Sequence, residues 1–146
     1  MITDKIIITS DHAGYQLKEE VKKHLESEGI KVKDIGTNSS ESVDYPDFAH
    51  LLAESIEKGE FDYGITICGS GNGISMAVNK HQGIRGAICW SEEISRLARF
   101  HNNANVCSLP ARFISTKEAN KIIDIFLSTD FEGGRHQNRI DKIPIK

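Results

Sequence analysis

The chain has 146 residues, enough for one domain with a sizeable core, and sets 18 Lys and Arg against 21 Asp and Glu for a formal net charge of -3. Both signs are scattered, so there is no basic stripe for nucleic acid. No apolar run approaches a membrane span, and Met1-Ile2-Thr3-Asp4-Lys5 lacks the build of a signal peptide. The expectation is a cytoplasmic protein with a small-molecule partner.

The three cysteines, Cys68, Cys89 and Cys107, are odd in number and never in C-x-x-C spacing. That pattern argues against a disulfide framework and against a zinc site, and predicts reduced thiols.

Lys5 to Thr9 is an apolar, β-branched run that reads as a first strand, with the polar cluster Ser10 to Gly14 at its carboxyl end. Leu17, Val21 and Leu25 then recur at helical spacing, predicting an amphipathic helix over Tyr15 to Glu28, stopped at Gly29. Ile30 to Ile35 alternates apolar and charged residues, as a strand nearer a sheet edge does. A loop over Gly36 to Pro46 leads to a helix marked by Phe48, Leu51, Leu52 and Ile56 and closed by Gly59. Tyr63 to Ile67 reads as a strand buried on both faces, and Ile74 to Lys80 as the first turns of a helix.

Ile84 to Trp90 is the expected fourth strand. Ser91 is a candidate N-cap for a helix over Glu92 to His101, and Asn105 to Leu109 is a short fifth strand. Ser115 with Glu118 forms a capping-box pattern ahead of the helically spaced Ala119, Ile122, Ile123, Phe126 and Leu127. Strands thus alternate with helices throughout as one domain, which predicts an α/β three-layer sandwich with a five-stranded parallel, Rossmann-like sheet. Ligands of such sheets bind beyond the carboxyl ends of the strands, where the strand order reverses. Asp11-His12 and the segment Cys68 to Gly73 both fall on that side, and share one crevice if the first and third strands are neighbours.

Cys68 ends the third strand and abuts a loop in which Gly69, Gly71 and Gly73 alternate with Ser70 and Asn72. Backbone N–H groups in such a loop and at a helix N-terminus suit an anion or a developing oxyanion, and favour the thiolate of an adjacent cysteine. Cys68 is therefore a candidate base or nucleophile. The loop is no Rossmann fingerprint, which belongs after the first strand, and it lacks a Walker lysine.

Asp11 sits where an N-cap is also expected, and one carboxylate can both cap and bind. His12, at a strand's carboxyl end, can supply a cationic donor to a phosphate or hydroxyl. Arg135 and Arg139, four apart, share a face if residues 134–140 form a helical turn, and two guanidinium forks suit phosphate oxygens. His24, His50, His81 and His136 lie in polar settings and read as solvated. Cys89 and Cys107 read as small buried residues.

Taken together, Ser10-Asp11-His12-Ala13-Gly14, Gly36-Thr37 with Asp44-Tyr45-Pro46, Ile67 to Ser75, Asn79-Lys80, His101 to Val106 and Glu132 to Arg139 closely resemble the type B ribose-5-phosphate isomerases. The resemblance runs in order over nearly the whole chain. It implies interconversion of ribose 5-phosphate and ribulose 5-phosphate, a step of the pentose phosphate pathway. It also implies no metal or organic cofactor, and a homodimer or dimer of dimers with active sites at the subunit interface.

By position, the resemblance makes Cys68 the base between C1 and C2 and His101 the acid of ring opening. Asp11, His12, Asn102 and the backbone of Gly69, Ser70, Gly71, Asn72 and Gly73 become substrate contacts. Arg112, Arg135 and Arg139 become the phosphate grip, and Tyr45 a pocket residue. Many relatives carry Thr at position 70, so Ser70 keeps the hydroxyl. One branch replaces the cysteine's role with a glutamate at position 74, which here is Ile74. Isomerisation of allose 6-phosphate or galactose 6-phosphate is the alternative within the superfamily. A non-catalytic phosphate- or nucleotide-binding module is the alternative outside it, and it leaves the thiol and the tail arginines without a role.

Overall fold

The computed structural model describes residues 5–145. Five strands, β1 (Ile6–Ser10), β2 (Val32–Asp34), β3 (Tyr63–Cys68), β4 (Gly86–Ile88) and β5 (Val106–Pro110), pair in parallel in the order β2-β1-β3-β5-β4. Six helices cover them: α1 (Tyr15–Ser27), α2 (Tyr45–Glu57), α3 (Asn72–Val78), α4 (Glu92–Phe100), α5 (Thr116–Ser128) and α6 (Arg135–Ile140). The architecture is the α/β sandwich that the pattern predicts. Among the described residues, no helix is long and apolar enough to cross a membrane.

The three central strands are buried along their whole length, whereas the edge strands β2 and β4 are only half-buried. That is why the former read as continuous apolar runs and the latter did not. Alternation along β1 divides the core into two layers. Ile6 and Ile8 pack with Leu17, Val21 and Leu25 of α1 and with Ile122, Ile123 and Phe126 of α5. Ile7 faces Ala49, Leu52 and Ile56 of α2 and Ile74 and Val78 of α3. Burying each of these large side chains contributes roughly 1.5–3 kcal/mol. Gly64 lets α2 sit close to the sheet, since a Cβ there would lie 2.7 Å from Leu52 Cδ2.

Several boundaries differ from the sequence reading, and two of them have a plain cause. α2 begins at Tyr45, because Pro46 in a helix's first turn loses no hydrogen bond and supplies the right φ. β4 stops at Ile88, short of the exposed Trp90.

The end of β2 is tied to α1 by a charged cluster. Asp34 accepts hydrogen bonds from the fully buried Lys18 (2.5 Å) and from Lys22 (2.8 Å), and also from the Gly36 N–H (2.8 Å). Burial alone would raise the Asp34 carboxyl. The hydrogen bonds from Lys18, Lys22 and Gly36 outweigh it and hold the group below its ordinary value. A carboxyl depressed on folding stabilises fully above its unfolded pKa, near 4, and that contribution is lost as pH falls through the folded value. Urea unfolding of Asp34→Asn from about pH 6 to 3 should therefore show a flatter acid decline than the parent. Parallel declines would remove Asp34 from the acid limb.

Candidate active site

The strand order reverses between β1 and β3, which pair from Ile6 with Tyr63 to Ser10 with Ile67. The condition set by the sequence is met: the segments after these two strands form one crevice of about 480 Å³. It is lined by Asp11, His12, Tyr45, Cys68, Gly69, Ser70, Gly73 and Arg112, and also by Ala13 and Phe113. Phe113, 75% exposed at the rim, was missed in the sequence. It follows Arg112 beyond the carboxyl end of β5, so the strand-end rule finds it once β5 is known to neighbour β3.

Cys68 forms the floor of this crevice, with only 5% of its surface exposed. Gly71 adopts a left-handed φ of 78°, which turns the loop so that its N–H donates to Cys68 Sγ at 3.1 Å. Beside it, Ser70 Oγ accepts from the Asn72 N–H at 3.2 Å, so its own proton is left to donate outward. Gly73 makes room for a pocket wall, as a Cβ there would stand 2.5 Å from the Tyr45 ring. Gly69 does the same for Arg112, whose Nη1 would lie 3.0 Å from an added Cβ. Arg112 is held over the loop by its own N–H, which donates to Gly69 O at 3.0 Å.

Asp11 caps the 3-10 turn His12–Gly14 through the Gly14 N–H (3.1 Å) and also lines the crevice, so capping leaves it placed to meet a ligand. The Val43 N–H donates to the Nδ1 of His12 at 3.1 Å, which fixes the ring and leaves Nε2 as the nitrogen available to a ligand. Ile74, at the position of the alternative glutamate, is fully buried in the core.

The remaining sequence candidates do not join this crevice within one chain. β4 and β5 are parallel, so the intervening α4 returns to the amino edge of the sheet, and His101 caps its C-terminal end there. Cys68 lies at the carboxyl edge. The five-residue β5 spans the gap, roughly 16 Å.

His101 stacks on His136 of α6, so Arg135 and Arg139, spaced four apart on that exposed helix, belong to the same end. Asn102 lines a separate recess of about 320 Å³ with Asn79, Arg85 and Ile143. The candidate residues therefore fall into two groups at opposite edges of the sheet: a thiol, a loop and one arginine at one, and an imidazole with two arginines at the other.

The second group is braced by Arg99, which is 3% exposed. Its guanidinium donates to Ala104 O (2.6 Å), Asn103 Oδ1 (2.8 Å) and Thr129 O (3.2 Å), fastening the end of α4 to the end of α5. Arg99→Met would leave these acceptors without their donor, and should lower the unfolding free energy by about 2–4 kcal/mol. An unchanged urea midpoint would contradict that brace.

The histidines read as solvated are in fact engaged. His136 is 7% exposed and His24 pairs with Asp124 at 2.8 Å. His81 bridges Glu57 (3.0 Å) and His50 (2.8 Å). Partners distant in sequence, such as Asp124 for His24, made them read as polar surface. Cys89 and Cys107 are fully buried, and burial followed by the neighbouring Cys89 pushes the Cys107 thiol well up.

Two groups of donor atoms have the composition of a cation site: His101 with Glu132 and His136, and His24 with Glu28 and Asp124. Neither lies in the crevice. A slightly larger cleft of about 510 Å³ beside α1 is lined by Tyr15, Gln16, Glu19, Glu20 and Thr116 and holds no nucleophile or cation to act on a phosphate ester.

The model of the ribose/galactose isomerase family matches residues 6–143. The ribose-5-phosphate isomerase B of Escherichia coli strain K12 is 44% identical over 139 residues, covering 95% of this chain and 93% of its own. Among solved structures, a ribose 5-phosphate isomerase of Thermotoga maritima superposes with a TM-score of 0.94 at 53% identity, over 95% of this chain and 96% of that one. Ribose-5-phosphate isomerase B of Mycoplasma genitalium, solved with bound ribulose-5-phosphate, superposes with a TM-score of 0.90 at 48% identity, over 94% and 92%. With the family model matched from β1 to beyond α6 and close relatives covered almost end to end, the chain belongs to the ribose/galactose isomerase family, among the type B ribose-5-phosphate isomerases.

Proposed function

We propose that the chain is one sugar-phosphate isomerase domain that interconverts D-ribose 5-phosphate and D-ribulose 5-phosphate through an enediolate. The observation that carries this reading is the Cys68 sulfur on the crevice floor, receiving the Gly71 N–H, with Arg112 laid across the adjacent loop. Aldose–ketose interconversion needs a base near C2, donors for the developing negative charge and an anchor for the distant phosphate. In this reading the Cys68 thiolate takes the C2 proton and returns one to C1. The amides of Gly69, Ser70 and Gly73, with the Ser70 hydroxyl, hold the two enediolate oxygens. Asp11, His12, Tyr45 and Asn102 contact the sugar, and the arginines grip the phosphate.

His101 is the acid that protonates the furanose ring oxygen as the ring opens. Because it, Arg135 and Arg139 occupy the opposite edge of the sheet, they serve the Cys68 of a second copy. The working unit is then a homodimer or a pair of dimers with sites shared across the interface. No metal or organic cofactor is needed, and a mechanism that depends on a reduced thiol suits the cytoplasm.

The non-catalytic module fares worse on the geometry. The Gly71 and Asn72 amides are already engaged, by Cys68 Sγ and Ser70 Oγ, rather than open to a nucleotide's phosphates. A steady-state assay with a chelator present should show turnover of ribose 5-phosphate exceeding that of allose 6-phosphate and galactose 6-phosphate. Preference for a six-carbon substrate would move the assignment within the family. No turnover of any of the three would overturn it.

A further inference from the structure

We propose that His136 and Glu132 are positioning residues for His101, and the proposal rests on the reading of His101 as the ring-opening acid. His136 is nearly buried although it lies on a short, polar helix among exposed residues. Its ring lies face to face with that of His101, centroids 4.5 Å apart and planes 21° from parallel. On its other side, its Nε2 meets Glu132 Oε1 at 2.7 Å.

The chain is built to make this contact. Gly133 and Gly134 take positive φ values of 79° and 63°, conformations that L side chains rarely adopt. They reverse the backbone so that Glu132, which lies outside α6, faces His136 inside it. The Glu132 N–H in turn donates to Phe100 O at 3.0 Å, fixing this carboxylate to the helix end that carries His101.

A physical need accounts for the arrangement. His101 caps α4 at the edge of a turn, where an imidazole alone would rotate freely. An acid that must hand a proton to one particular ring oxygen requires a fixed ring plane and a fixed N–H direction. The His136 face fixes the plane. Glu132 orients His136 and places negative charge one ring away from the group that carries the proton.

A double-mutant cycle on the full-length protein, assayed with ribose 5-phosphate, tests this. His136→Ala should lower kcat about tenfold and Glu132→Gln about fivefold, with KM within about twofold because the arginines are untouched. Each change combined with His101→Ala should cost no more than His101→Ala alone, since a residue acting through His101 has nothing left to position.

Glu132 is 41% exposed, so Glu132→Gln carries the test should His136→Ala fail to fold. A normal His101→Ala would refute the acid assignment itself. An impaired His101→Ala beside silent single variants, or losses that multiply in the doubles, would overturn the positioning role. So would a rise in KM at unchanged kcat, which would mean that the contact only holds α6.

Discussion

Cys68→Ala should lower turnover of ribose 5-phosphate by roughly 10³- to 10⁴-fold, the upper range for loss of a positioned base. Neither the alternative glutamate position nor another thiol can take over its role. The position that carries a glutamate in the other branch is Ile74, which is buried in the core beneath the loop. The other two thiols, Cys89 and Cys107, are fully buried in the other core layer.

Binding should survive, because the arginines and the loop remain. Removing the sulfur leaves the Gly71 N–H without its acceptor, at a cost of about 1 kcal/mol or somewhat more. Calorimetry with ribose 5-phosphate should accordingly give an affinity within a few-fold of the parent's, and the effect should fall on kcat. Cys68→Ser should resemble Cys68→Ala, since an alcohol is a far weaker base than a thiolate. Near-parent turnover in Cys68→Ala would remove the sulfur from the reaction.

Much of this site was legible before any coordinates, and the reasons are local. β1 and β3 are buried on both faces, so they read as unbroken apolar runs, and the residues at their carboxyl ends then mark the crevice. Ser115 and Glu118 form the capping box that their spacing predicts, and Ser91 caps α4 through the Ile94 N–H.

What depends on partners distant in sequence was not legible. The donor that holds His12 is Val43, 31 residues away, so the orientation of its ring left no trace in the motif. His136 read as solvated because nothing in its neighbourhood shows that His101, on another helix, lies against its face. Arg99 drew no attention for a different reason: two of its three acceptors are backbone carbonyls, which leave no mark on residue type.

The placement of His101 is a different case. A helix between two parallel strands must end at their amino edge, so the separation of Cys68 from His101 follows from topology alone. The resemblance to known isomerases named both as parts of one site. Geometry adds that within one chain the two lie at opposite edges of the sheet.

That separation yields the second large effect. Chains carrying Cys68→Ala keep an intact His101 and arginine pair, and chains carrying His101→Ala keep an intact thiol half-site. Each should be nearly inactive alone. If sites are shared across a two-fold interface, a mixed dimer holds one site with both lesions and one with neither. Random reassortment of equal amounts makes about half the dimers mixed, so about a quarter of all sites become whole.

The decisive measurement is therefore the activity on ribose 5-phosphate of the two variants mixed, subunit-exchanged and compared with each alone. Recovery to about a quarter of the parent rate, from two nearly inactive preparations, is the predicted result. A mixture that stays as inactive as its components, once subunit exchange has been verified, would contradict a catalytic site completed by a second copy of the chain.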